Sequence, residues 1–251
     1  MKALITGASS GIGRDMARVF SRMGYDLILT ARRADRLLEL KQELGGNVKV
    51  LCFDLAKAEE CYSLYEQVKD EHIDILINNA GFGVFGSFEE SNLDRELEMI
   101  DVNIRAVHIL TKLFLRDFIK ANRGYILNVS SSAAFMPGPL LSSYYASKAY
   151  VLRLTLAIYE ELRRRGSAVS VSALCPGPVH TEFDSTAGVQ FSLKGLSSEY
   201  VAQYAIDQML RRKLVIIPGN QMKLVKFFSR FASDRFLLRI AYGQQRRKGD
   251  K

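Results

Sequence analysis

Lys2-Ala3-Leu4-Ile5-Thr6-Gly7-Ala8-Ser9-Ser10-Gly11-Ile12-Gly13 is the stretch whose reading decides the fold. Its first five residues are a short, mostly apolar run that reads as a buried strand. After the glycines, Ile12, Met16, Val19, Phe20 and Met23 recur at helical spacing, and Gly24 ends the pattern. Strand, glycine turn and helix N-terminus in direct succession make a phosphate cradle. The glycines let backbone N–H groups approach an anion, and the helix dipole favours its charge. A plain tight turn is the competing reading, but it would not need three glycines at this place. The spacing is Gly-x-x-x-Gly-x-Gly rather than the commoner dinucleotide fingerprint Gly-x-Gly-x-x-Gly.

Working outward, strand and helix patterns alternate. Residues 25–30, 48–53, 73–78, 124–129, 168–174 and 214–217 read as further strands. Residues 34–44, 57–70, 93–120, 144–165 and 198–212 read as helices, the first closed by Gly45-Gly46 and the fourth stopped by Gly166. This predicts an α/β fold: one Rossmann-type, doubly wound parallel sheet of about seven strands with helices on both faces. Ligands in such sheets bind at the C-terminal strand ends, where Gly7–Gly13, Asn79-Ala80-Gly81 and Ser130-Ser131-Ser132 all sit. Residues 1–220 read as the catalytic domain and 221–251 as a basic amphipathic helical extension.

The second strand runs into Ala31-Arg32-Arg33. An acidic residue here would bind a ribose 2′-hydroxyl, whereas arginine accommodates a 2′-phosphate. Arg32 and Arg33, with Arg14 after the glycine turn, therefore favour NADP(H) over NAD(H). The alternative is that both are solvated loop charges.

Composition sets the outer limits. With 251 residues, 48% hydrophobic and 25% charged, the chain suits one large soluble domain. Three cysteines are too few for a disulfide framework and suit a reducing, cytoplasmic setting. The three histidines share no metal-ligand spacing, so no metal is expected. Met1-Lys2 leads straight into the first strand, so no leader is expected, and no apolar run is long enough to span a membrane. The net charge of +8 is uneven: residues 211–251 hold twelve Lys/Arg against two Asp/Glu, a balance of +10, which leaves −2 for the remainder. That argues against a general nucleic-acid binder and for one special segment.

Tyr144-Tyr145-Ala146-Ser147-Lys148 carries the chemistry. Four residues apart on a helix, Tyr144 and Lys148 share a face. A phenol has a reference pKa of about 10, and a neighbouring ammonium lowers it. The pair can thus make a proton donor that works near neutral pH. Tyr and Lys fall four apart on many surface helices, so the spacing alone is weak.

The whole set of motifs is far more specific. Thr6-Gly7-x-x-x-Gly11-x-Gly13, Asp54, Asn78-Asn79-Ala80-Gly81, Asn103, Ser131, Tyr144-x-x-x-Lys148 and Pro176-Gly177 with Thr181 follow the order of the short-chain dehydrogenase/reductase family, which the chain resembles over residues 2–217. The resemblance implies hydride transfer between a nicotinamide and a carbonyl or alcohol carbon. It implies Tyr144 as acid/base and Lys148 as the group that lowers its pKa and bonds the nicotinamide ribose. Ser131, thirteen residues before Tyr144, would orient the substrate oxygen. Ser130 and Ser132 would be strand-end neighbours, with Ser132 the better placed to line the pocket. Asn103 would hold a water in a proton relay, and Asp54 would meet the adenine amine. Asn79, Ala80 and Gly81 would flank the adenosine ribose, and Thr181 would fix the carboxamide. Ser9, Ser10, Ile12, Leu55 and Val179 complete the expected cofactor contacts. The family is commonly dimeric or tetrameric, so a homo-oligomer is implied.

Residues 222–242 interleave apolar positions with Lys223, Lys226, Arg230, Arg235 and Arg239, and Ser233-Asp234 reads as an N-cap dividing two short helices. Three readings stay open: packing on the core or a second subunit, a lid over an apolar substrate, or peripheral contact with an anionic membrane. Val84, Phe85, Phe88, Phe135, Met136, Leu140, Phe183 and Phe191 are expected to shape an apolar pocket for a hydrophobic ketone, aldehyde or alcohol. Reduction is the expected direction. The rival from another class is a non-catalytic NADP-binding sensor or scaffold, which would need the glycine turn but not Asn103, Ser131, Tyr144 and Lys148.

Overall fold

The computed structural model describes residues 1–182, 195–229 and 231–249. The chain runs β1 (Lys2–Thr6), α1 (Gly11–Arg22), β2 (Asp26–Ala31), α2 (Ala34–Leu44), β3 (Val48–Cys52), α3 (Ala58–Val68), β4 (Ile75–Asn78), α4 (Leu93–Ile100), α5 (Val107–Ala121), β5 (Tyr125–Val129), α6 (Ser142–Arg164) and β6 (Ser170–Leu174). It continues through β7 (Val179–His180), β8 (Leu196–Ser197), α7 (Ser198–Leu210), β9 (Val215–Ile216), α8 (Asn220–Phe228) and α9 (Asp234–Gly249). Seven strands form one parallel sheet in the order β3-β2-β1-β4-β5-β6-β9. The order reverses direction between β1 and β4, which opens a crevice at their C-terminal ends.

Alternation along each strand serves two cores. Ala3 and Ile5 of β1 join Leu27, Leu29, Met16, Phe20, Leu37 and Met209 under α1, α2 and α7. Leu4 points the other way, to Ile28, Leu64, Phe114, Ile126 and Ile158 under α3, α5 and α6. Of the apolar stripe expected on α1, Met16, Val19 and Phe20 are buried, while Met23 lies past the helix end and is exposed.

Three local differences from the sequence pattern have physical causes. The helix expected over 93–120 is interrupted by a π-helical turn, Asp101–Ala106. Asn103 sits there with its amide consumed by three hydrogen bonds, and π turns often mark such special positions. β4 starts at Ile75 because His72 takes a left-handed conformation (φ 52°) after the short turn Lys69–Glu71. The β7–β8 pair has two residues per strand, too short for any periodicity to signal. The expected break at Ser233-Asp234 is present: the Ser233 carbonyl accepts from the N–H groups of Phe236 and Leu237 at the start of α9.

Candidate active site

The glycine turn is held from β4. Asn79 donates its side-chain Nδ2 to the carbonyls of Thr6 (3.0 Å) and Gly7 (3.1 Å). The Thr6 hydroxyl accepts from the backbone N–H of Asn79 and of Ala80, both at 3.0 Å. Gly7 (φ 64°) and Gly11 (φ 53°) adopt left-handed backbone, which costs a glycine little. A Cβ at Gly13 would lie 2.3 Å from Asn79 Nδ2 and 2.5 Å from the Gly7 carbonyl oxygen. Gly7, Ser9, Ser10, Gly11 and Ile12 line a large cavity, so bare backbone faces the space where a pyrophosphate would sit. The turn therefore fits a dinucleotide. Gly13→Ala is expected to lose about 1–3 kcal/mol of stability by overpacking and to weaken nucleotide binding, as read by thermal melting and NADPH fluorescence titration.

Beyond the turn, Arg32 and Arg33 also line the cavity. Arg33 donates to Ser9 Oγ at 3.1 Å and pairs with Glu182 at 2.9 Å, while Arg32 pairs with Glu98 at 2.7 Å. Arg36 meets the same Glu182 at 2.9 Å. Arg33 first, with Arg36, holds the Glu182 carboxyl below its ordinary value. These are exposed pairs of small individual strength. Asp54 and Leu55 close this end of the cavity, with Asp54 Oδ1 accepting from the Ala56 N–H at 3.2 Å.

At the other end lie the strand ends of β5 and β6 and the first turns of α6. Ser131 and Tyr144 share a side-chain hydrogen bond. Ser131 Oγ also accepts from the Ala133 N–H at 3.1 Å. Ser130 is turned away, donating to the Lys148 carbonyl at 2.7 Å, though both it and Ser132 reach the cavity wall. Lys148 is buried; its Nζ donates to the Val129 carbonyl at 3.0 Å and stands 5.8 Å from the Tyr144 ring centroid. Burial pulls the Lys148 ammonium down to about 8. Burial pushes the Tyr144 phenol up, opposed by the Ser131 hydrogen bond. The expected lowering of Tyr144 by Lys148 is thus not the dominant effect, because desolvation outweighs an ammonium that is itself desolvated and directed at a carbonyl.

Asn103 is fully buried beneath these groups. Its Oδ1 accepts from the Phe82 N–H (3.1 Å), and its Nδ2 donates to the Phe82 carbonyl (2.9 Å) and Ser147 Oγ (3.1 Å). A Cβ at Gly81 would stand 2.8 Å from Asn103 Oδ1 and 3.2 Å from Lys148 Nζ, so the chain after β4 passes tightly between them.

The comparisons with known proteins decide the family. The short chain dehydrogenase family model matches residues 1–190. The chain belongs to the short-chain dehydrogenase family. An NADP-dependent 3-hydroxy acid dehydrogenase of Salmonella typhi is 38% identical over 192 residues, 74% of this chain and 75% of that protein. A short-chain dehydrogenase of Sphingobium yanoikuyae, solved in complex with NADPH, is 33% identical, with a TM-score of 0.81 over 87% of this chain and 88% of that one. A family member of Burkholderia phymatum, solved in complex with NAD, superposes with a TM-score of 0.82 over 90% of this chain and 91% of that one at 24% identity, and shares the fold.

In this short-chain dehydrogenase, the cavity of about 950 Å³ gathers nearly all the anticipated residues: Asn79, Ala80, Gly81, Ser131, Tyr144, Lys148, Pro176, Gly177, Val179 and Thr181 join those already named. Gly13 and Asn103 stand behind its wall. The anticipated substrate walls are only partly right. Met136 lines the cavity, but Val84 packs with Phe82 and Met99, Phe85 packs with Leu141, and Phe88 is exposed. Phe135 packs with Ala134 and Leu152, and the Lys226 ammonium lies over its ring. Leu140 takes a left-handed turn (φ 65°) and is no part of the cavity lining. Phe183 and Phe191 lie outside the described residues.

The remaining wall comes from α8 and α9: Met222, Leu224, Val225, Phe228, Phe236, Leu237 and Ile240 roof the cavity. Gln245 of α9 donates to the Tyr145 hydroxyl at 2.6 Å, beside the Tyr144 ring. Of the three readings that the amphipathic pattern leaves open for this segment, the lid matches its place over the cavity. Tyr145 and Gln245 carried no signal, because their pairing spans a hundred residues.

Proposed function

We propose that this short-chain dehydrogenase is an NADP(H)-dependent reductase of hydrophobic ketones or aldehydes. The observation that carries the reading is the continuity of one cavity. It begins at the bare glycine backbone, passes Ser131, Tyr144 and Lys148, and ends under an apolar roof from α8 and α9. The bound nicotinamide supplies the hydride. Ser131 orients the substrate oxygen, and Tyr144 gives its hydroxyl proton to that oxygen, so that the carbonyl leaves as an alcohol. Lys148 holds the nicotinamide ribose and offers positive charge beside the phenol. Asn103 fixes the Phe82 backbone and the Ser147 hydroxyl behind it, and the role assigned to it is to hold a water that links Lys148 to solvent. Asp54 takes the adenine amine, Asn79, Ala80 and Gly81 flank the adenosine ribose, and Thr181 takes the carboxamide. We assign residues 1–220 to the catalytic domain and 221–251 to the extension. The free thiols of Cys52, Cys61 and Cys175 support a cytoplasmic setting. Exposed Leu93 and Leu97 on α4 and Tyr150 on α6 support a homo-oligomer.

Arg32 and Arg33 support the choice of NADP(H), because their present partners are exposed carboxylates that a 2′-phosphate can displace. Arg32→Ala is expected to weaken NADPH binding by about tenfold, the loss of one exposed phosphate contact, and to leave NADH binding unchanged. Fluorescence titration with both nucleotides checks it, and an equal effect on both would refute the 2′-phosphate assignment. The reading as a whole is tested by NADPH oxidation against steroid, acyl and aromatic ketones. Nucleotide binding without Tyr144-dependent turnover on any of them would favour a non-catalytic protein.

A further inference from the structure

Helices α8 and α9 roof the cavity and, at its rim and beyond it, present apolar side chains that stay exposed among the described residues. Phe228 at the cavity rim is 62% exposed, and Phe231 in the turn between the two helices is 76% exposed. The Phe227 ring lies 5.4 Å from that of Phe228 and 5.3 Å from that of Phe231, so the aromatic surface is continuous around the turn. Leu224, Phe236 and Ile240, which line the cavity and are also exposed, carry this surface on to the cavity rim. This crest is flanked by exposed Lys223, Arg235 and Arg239. Residues 220–249 hold eight Lys/Arg and a single acidic residue, Asp234.

An aromatic crest inside a ring of cations is unusual on a monomer surface, where contiguous apolar patches mark interaction sites. Two occupants are physically reasonable. A second copy seated on the same face would bring two strongly cationic surfaces together, which like-charge repulsion opposes. An anionic bilayer satisfies both features, since aromatic side chains enter the headgroup boundary while lysine and arginine meet lipid phosphates. Among the described residues no helix is long and apolar enough to cross a membrane, so the contact would be interfacial. We propose that the α8–α9 crest docks this protein on an anionic lipid surface, with the cavity rim turned toward the bilayer. Delivery of an apolar carbonyl through that rim rests on the reductase reading; the docking does not.

Flotation of the full chain with phosphatidylcholine vesicles, with and without phosphatidylglycerol, tests it independently of turnover. Binding is expected only to the phosphatidylglycerol vesicles and is expected to fall with added salt. Phe227→Ser with Phe231→Ser is expected to lower the partition coefficient by roughly tenfold or more. Arg235→Gln with Arg239→Gln is expected to lower it by roughly tenfold. Both double variants should keep wild-type melting and NADPH binding, since none of the four side chains lines the cavity. Absence of flotation, equal partition to neutral vesicles, or undiminished binding by both variants would each overturn the proposal. A concentration-dependent dimer that Phe227→Ser with Phe231→Ser abolishes, without flotation of wild type, would assign the crest to a second copy instead.

Discussion

Tyr144→Phe is expected to lower carbonyl reduction by about 10²–10⁴-fold, the usual contribution of a general acid, while NADPH still binds. The substitution keeps the ring that packs with Phe82 and Val102 and deletes only the hydroxyl bonded to Ser131. The direction of the pKa shift sharpens the expectation. Burial raises the phenol, so its proton is present throughout the neutral range. Reduction, which spends that proton, should be flat across neutral pH. Alcohol oxidation, which must first remove it, should climb as the solution becomes alkaline. Initial rates in both directions across pH check this. Retained reduction by Tyr144→Phe with a pure ketone would refute the role of the tyrosine, and an oxidation rate that falls with pH would refute the raised phenol.

The second large effect concerns Lys148, where function and stability pull in opposite directions. Its ammonium drops from 10.5 to about 8 because it is buried. The unfolded chain keeps the ordinary value, so between about pH 8 and 10.5 it binds more protons than the folded one, and stability rises with pH. Below pH 8 the full penalty applies, roughly 3 kcal/mol for a shift of this size. Lys148→Met removes the charge at similar volume and leaves the Val129 carbonyl without its donor, a cost of about 1–3 kcal/mol. At pH 7 the variant should therefore be no less stable than wild type, while its turnover falls by about 10²-fold or more. Raising the pH to 10, just short of the unfolded value, should stabilise wild type relative to Lys148→Met by roughly 2.5 kcal/mol. Denaturant melts of both proteins without nucleotide at the two pH values measure it. Parallel pH profiles would show that the lysine is not held at a cost.

What the sequence made legible was local. Gly7 to Gly13 lies between one strand and one helix, and Tyr144 and Lys148 lie one turn apart, so spacing alone assembles them. The strand ends carrying Asn79, Ser131 and Pro176 converge because a parallel sheet brings all its C-terminal ends to one side. What stayed hidden depends on packing between distant segments. The π turn at Asn103 reflects where Phe82 and Ser147 sit, and no local pattern encodes that. Glu182 becomes a partner of Arg33 and Arg36 only when β6 and β2 lie in one sheet. Val84 and Phe85 looked like pocket walls because they are apolar and near Gly81, yet they were spent on supporting Phe82 and Leu141. The roof stayed one of three open readings, since an amphipathic helix shows that it must bury a face without showing against what.

The Gln245–Tyr145 contact carries one more implication, for the order in which the protein becomes competent during synthesis. Chains emerge from the ribosome N-terminus first and fold as they appear. All seven strands of the sheet are complete by Ile216, before any of the roof has been made. A nascent chain at that stage already has its glycine turn, its arginines and its tyrosine–lysine pair. Such a chain would be able to grip a nucleotide while the place for the substrate is still an open trough. On this order nucleotide binding would precede enclosure of the substrate, and a nucleotide present early would steady the sheet onto which the last helices settle.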